Sequence, residues 1–153
     1  MAMKIQLILY TYMLITTAAI VAIFALPATL GALQLDQISV WDGVYSEKQA
    51  ARGKEIYRKE CETCHLSDLT GNDLTPALTG IAFEYRWGQL SIGDIFSIIR
   101  ITMPQSAPDS LSSQEYIDTV SYLLQMNGFP VGKNELTTKE SVLNKIIILP
   151  EKP

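Results

Sequence analysis

Cys61-Glu62-Thr63-Cys64-His65 is the stretch on which the fold turns, because it gathers both cysteines and the only histidine of the 153 residues. Two cysteines three positions apart, with histidine next, form the signature of c-type haem attachment, in which the thiols add to the two haem vinyl groups as thioethers. The spacing pins one porphyrin edge through both sulfurs and places His65 under the iron as the proximal ligand. Two other chemistries use such residues. A structural zinc needs about four ligands, whereas the chain offers two cysteines and one histidine before any carboxylate is enlisted. A thioredoxin-like redox pair shares the spacing but sits beside a β-α-β pattern, and none is visible around Cys61.

Upstream of the motif, Ser46-Glu47-Lys48-Gln49 has the form of a helix capping box and predicts a helix start. Ala50, Gly53 and Tyr57 follow at spacings of three and four, one stripe that ends just before Cys61. A glycine in mid-helix is less stable than alanine there, so Gly53 predicts the close approach of another element. Gln34 to Tyr45 shows no period and reads as a linker over 33–45. Before it, Ile5 to Leu35 carries no charge and follows a start with one lysine, Lys4. Its dense apolar part, Leu7 to Leu26, ends at Pro27, and the small residues up to Gly31 and Ala32 suit a signal peptidase. An apolar run of about 20 residues also suffices to span a bilayer. Residues 1–32 are therefore a signal peptide or an uncleaved anchor, and both place the remainder in the periplasm, soluble or tethered to the inner membrane.

Downstream, Gly71-Asn72-Asp73, Pro76 and Gly80 mark a loop region able to wrap a cofactor. Ile92, Ile95, Phe96 and Ile99 recur at helical spacing and predict a short helix from about Gly93 to Arg100. It leads to Thr102-Met103-Pro104, where the proline disfavours helical geometry at Met103 and sets that residue in a loop. The region after residue 32 holds two methionines, Met103 and Met126. Met103 is the better sixth iron ligand, since a loop can bring its thioether over the distal haem face, whereas Met126 lies on a helical stripe where methionine ordinarily fills core. The alternative for Met103 is an apolar loop anchor. His/Met ligation leaves no open iron site, which favours electron transfer over bond-making chemistry. Ser112 to Glu115 is a second capping box, opening a last helix with Ile117, Val120, Ser121 and Leu124 on one face and a stop at Gly128. In the remaining tail, 133–153, Ile146 to Leu149 reads as a strand or an extended surface segment.

The chain has a net charge of −4, and every acidic residue lies at Asp36 or later. An acidic domain lacks the clustered basic footprint of nucleic-acid binders and fits a protein partner with a basic patch.

From Ser46 to Gly132 the residues resemble the class I cytochromes c: an amino-terminal helix, Cys61 to His65, a Pro76 loop, Met103-Pro104 and a carboxy-terminal helix in the family order. The resemblance implies an all-α cytochrome c fold, three or more helices and loops around one covalent haem c, with the domain at 46–132. It implies that the Pro76 carbonyl accepts from the His65 ring, the usual device for orienting a ligand histidine, and that Gly53 and Tyr57 pack near Tyr122. Trp87 is similar to the family tryptophan that bonds a haem propionate, the alternative being plain core packing. Ala77 to Gly80, Thr102 to Pro104, Ser112 to Tyr116 and Asn127 to Pro130 resemble the small cytochromes that serve periplasmic quinoprotein dehydrogenases. That implies separate redox partners: a donor dehydrogenase, and a terminal oxidase or cytochrome as acceptor. A fixed haem subunit of a larger complex, and an open-site haem enzyme or gas sensor, are the competing readings.

Overall fold

The computed structural model describes residues 38–153; the leader and the first residues of the linker lie outside them. Among the described residues no helix is long and apolar enough to cross a membrane.

The first long helix, α1 (Glu47–Glu60), starts where the capping residues place it: the Ser46 side chain accepts from Gln49 N at 3.1 Å. Only half of the expected box forms. The Gln49 side chain turns inward instead, fully buried, and its amide exchanges two hydrogen bonds with the Leu136 backbone, at 2.7 and 3.0 Å. A single turn, α2 (Glu62–His65), follows the break at Cys61.

Helix α3 (Gly80–Trp87) occupies a stretch that sequence reading left without regular structure. Its amphipathic signal is short: Phe83 and Trp87, four apart, are both buried, while glycines flank the segment at 80 and 88. Helix α4 (Ile92–Thr102) extends beyond the predicted 93–100 at both ends: Ser91 and Asp94 form a complete capping box at its start, and the Met103 N–H to Ile99 O bond closes its last turn. Helix α5 (Ser113–Met126) has the predicted Ser112–Glu115 box, and Gly128 beyond its end takes φ +79°. A last turn, α6 (Glu140–Leu143), precedes β2 (Ile146–Ile147), which pairs in parallel with β1 (Ile38–Ser39), Ile38 opposite Ile146.

Helices α1 and α5 cross at Gly53. A Cβ built there would lie 1.9 Å from the Asp118 carbonyl oxygen, so the two backbones meet where only glycine fits. One turn on, the Tyr57 and Tyr122 rings pack at 5.4 Å between centroids, as the family resemblance implies. Beside the crossing, Arg52 forks onto the buried Asp118 carboxylate at 2.7 and 3.0 Å and reaches Glu135 at 2.8 Å. Gln114 donates to the same Asp118 carboxylate at 2.7 Å.

The segments that patterning placed outside the helical domain contribute to its core. Val40, Tyr45, Leu143 and Ile148 are essentially inaccessible, and burying the aliphatic three contributes roughly 1.5–3 kcal/mol each. Tyr45 donates to the Phe129 carbonyl at 2.6 Å, and Gly132 N bonds Tyr45 O at 2.7 Å. Trp41 donates to Leu149 O at 2.9 Å and meets the Phe129 ring edge-on at 5.0 Å. Ile148 exchanges backbone bonds with Gln89 and Leu90, both at 2.8 Å, so the tail runs on extended backbone past the end of α3. Met126 departs from the expectation of a core filler: it sits in the last turn of α5, exposed.

Candidate functional site

His65 closes α2 and is buried, with 7% of its surface accessible. Its Nδ1 lies 3.0 Å from the Pro76 carbonyl oxygen. A carbonyl oxygen only accepts, so Nδ1 carries the proton and Nε2 keeps a lone pair. This is the tautomer of a metal-ligating histidine with its other nitrogen tied to backbone.

The loop that presents Pro76 is fixed from three sides. Leu78 N bonds Leu69 O at 2.8 Å, and the Asn72 side chain accepts from Leu74 N and Thr75 N at 2.9 and 3.1 Å. Gly71, at φ +64°, lets the turn close, since a Cβ there would lie 2.2 Å from Thr75 O. Asn127, just past α5, donates to Leu78 O at 3.0 Å and accepts from Gly80 N at 3.0 Å. Asn127 thus joins the Pro76 loop to the last helix across nearly fifty residues, a link with no signature in local spacing.

Cys61 and Cys64 are free thiols. Burial, with the nearby Glu60 and Cys64 charges, pushes the Cys61 thiol up to about 11. Among the described residues, no three His, Cys, Asp or Glu side chains are grouped to hold an ion by themselves. A shallow cleft of about 490 Å³ opens beside α2 between Arg58, Glu62, Thr63, Leu66, Ser67 and Asp68. Glu62 and Thr63 of the motif line it, but Cys61, Cys64 and His65 do not.

Met103 is where the chain leaves α4, in extended conformation with φ −129° and ψ 152°, as the proline after it requires. It is half-buried. Its N–H makes the last helical bond, to Ile99 O at 2.8 Å, and its carbonyl accepts from the Tyr116 hydroxyl at 2.8 Å. Arg100 and Asp109 close the loop behind it through a 2.6 Å ion pair and an Asp109 N to Arg100 O bond of 2.9 Å. Trp87 ends α3 within the core, with the Arg86 guanidinium 5.2 Å above its ring. The Trp41 indole has a backbone acceptor; among the described residues the Trp87 N–H has none.

Residues 48–123 match the family model described as cytochrome C oxidase, cbb3-type, subunit III. The chain contains a class I cytochrome c domain. This cytochrome c domain is also similar to a chain in the crystal structure of the sulfane dehydrogenase SoxCD from Paracoccus pantotrophus. The identity is 18%, the coverage 71% of this chain and 61% of that one, and the TM-score 0.47. No curated protein sequence matches.

A cytochrome c domain carries haem c, and the donor set fits that group. Two thiols flank a turn that ends in a buried histidine with a free Nε2, and a half-buried thioether stands on an anchored loop. Tyr57 adds a further support the sequence did not disclose: its hydroxyl donates at 2.7 Å to the carbonyl of Leu66, next to His65. Leu66 itself stands at φ 65° and ψ 162°, a region ordinarily reserved for glycine.

Proposed function

We propose that this protein is a monohaem c-type cytochrome that passes single electrons within an extracytoplasmic redox chain. In this reading Cys61 and Cys64 hold the haem as thioethers, His65 Nε2 is the proximal iron ligand and Met103 the distal one. Bound haem supplies the one-electron Fe(III)/Fe(II) couple; the chain supplies position and environment. The observation that carries the reading is the His65 to Pro76 hydrogen bond of 3.0 Å, which fixes the ring and the tautomer a metal needs. Trp87 offers its indole N–H to a haem propionate. No acid, base or nucleophile is assigned, because outer-sphere transfer through the haem edge requires none.

The sequence pattern further supports donation by a separate periplasmic quinoprotein dehydrogenase and delivery toward a terminal oxidase. The protein acts there as a mobile carrier, or as one tethered through residues 1–32. Its acidic domain favours partners with basic docking surfaces.

Intact mass and the visible spectrum of protein matured with haem test the attachment. One haem retained after denaturation is expected, and Cys61→Ala or Cys64→Ala weakens that retention. Met103→Ala should lower the reduction potential and open the iron to carbon monoxide, since thioether ligation favours the ferrous state. Rapid, tight carbon monoxide binding by the unmodified protein at neutral pH would overturn the carrier reading in favour of an open-site enzyme or sensor.

A further inference from the structure

Met103 has both backbone polar groups held by the helical framework. Its N–H is fixed by Ile99 O within α4, and its carbonyl by the Tyr116 hydroxyl from α5, each at 2.8 Å. Tyr116 cannot swing away to release it. The ring is 1% accessible, it sits in the first turns of α5 among core residues, and its hydroxyl also accepts from Leu111 N at 3.5 Å. The same hydroxyl thus touches the loop that carries Met103 at both its beginning and its end. Between those points the loop is closed by Arg100 and Asp109 and by an internal Ala107 N to Pro104 O bond of 2.8 Å.

With φ and ψ of Met103 fixed by two hydrogen bonds, its thioether has only side-chain torsions left to explore. We propose that Tyr116 is a positioning residue for the Met103 sulfur, holding the distal side as the Pro76 carbonyl holds His65 on the proximal side. This rests on Met103 being the distal ligand. The framework behind the two sides is continuous: α1 runs into Cys61, and α5, which carries Tyr116, crosses α1 at Gly53 where the backbones touch. The helix pair thereby sets the span between the two iron ligands. A rigid span keeps the same two ligands in both oxidation states and limits the reorganisation that accompanies each electron.

Tyr116→Phe tests this in the haem-loaded protein, because it removes one hydroxyl and keeps the ring. Three readouts apply: the thioether-to-ferric charge-transfer band, the rate at which cyanide displaces the distal ligand, and the melting temperature. The expected result is a weakened band and cyanide entry faster by about fivefold, the weight of one net hydrogen bond. Tyr45→Phe is the control. It deletes a comparable buried bond, to Phe129 O at 2.6 Å, in segments that do not carry Met103. It should lower the melting temperature while leaving band and cyanide rate as they were.

If Tyr116→Phe lowers only the melting temperature, as the control does, Tyr116 is a packing residue and the proposal fails. Met103→Ala separates this from failure of the underlying assignment. Loss of the band in Met103→Ala with an unaltered band in Tyr116→Phe overturns the role of Tyr116 alone. An unaltered band in Met103→Ala overturns the ligand assignment itself.

Discussion

Replacing Gly53 by alanine probes the contact on which the domain's architecture depends. The added Cβ would meet Asp118 O at 1.9 Å, Asp118 C at 2.5 Å and Thr119 N at 3.0 Å, all backbone atoms of α5. Ordinary contact begins near 3.4 Å, so the helices must part locally by about 1.5 Å. No side chain can rotate out of the way. Overpacking of this kind costs about 1–3 kcal/mol, and the upper end applies where backbone is the obstacle. Parting the helices also loosens the Tyr57–Tyr122 contact and the Arg52–Asp118 fork beside it. Against this, alanine has the higher intrinsic helix propensity, by roughly 1 kcal/mol over glycine. The net expectation is a loss of about 2 kcal/mol, which for a domain of this size lowers the melting temperature by roughly 6–12 °C. Circular dichroism melts of the haem-loaded protein and the Gly53→Ala variant measure it. A variant as stable as the parent, or more so, would refute the close crossing of α1 and α5.

Leu66→Gly should act in the opposite direction. Leu66 occupies φ 65° and ψ 162° and is 39% exposed, so glycine relieves backbone strain and forfeits little burial. A gain of about 0.5–1 kcal/mol remains after the greater flexibility of unfolded glycine is offset; a lower melting temperature would count against the strained geometry. Gln49→Ala removes both hydrogen bonds to Leu136 and strands two buried backbone groups, costing about 2 kcal/mol or more. Limited proteolysis should then cut first near Leu136, and an unchanged cleavage pattern would contradict that role. Acid stability follows from the capping carboxylates. The Ser91 hydroxyl and N–H hold Asp94 below its ordinary 3.8, the Ser112 N–H and hydroxyl hold Glu115 below 4.5, and Arg52 does the same for Glu135. Depressed folded-state values mean that the stabilisation is complete above the unfolded values and fades as pH falls through the folded ones. Melting temperature should therefore be flat near neutrality and decline below about pH 4.5. The double variant Asp94→Asn, Glu115→Gln should start lower and decline less; parallel curves for the two proteins would exclude the caps as the cause.

How much was legible beforehand depended on the range of each interaction. Cys61, Cys64 and His65 fall within five residues, so the motif they form is read from covalent spacing alone. The starts of α1 and α5 were equally local, as a serine and the third residue after it define a cap. Gly53 was informative because glycine in a helix has few explanations, and Met103 because Pro104 restricts the residue before it. By contrast, α3 was missed since an eight-residue helix that starts on one glycine and stops at the next gives only one repeat of the helical period.

The sequence by itself determined the haem motif, the order of ligand candidates and the pairing of the flanking helices. Tertiary structure decided that Gln49 serves Leu136 rather than its own helix cap, and that Asn127 ties down the Pro76 loop. It decided too that Tyr116 grips the Met103 carbonyl and that the tail completes the core through Leu143 and Ile148. The physical reason is common to all four. A hydrogen bond or a packed side chain between residues far apart in the chain depends on where the intervening backbone turns, and neither period nor spacing encodes that path.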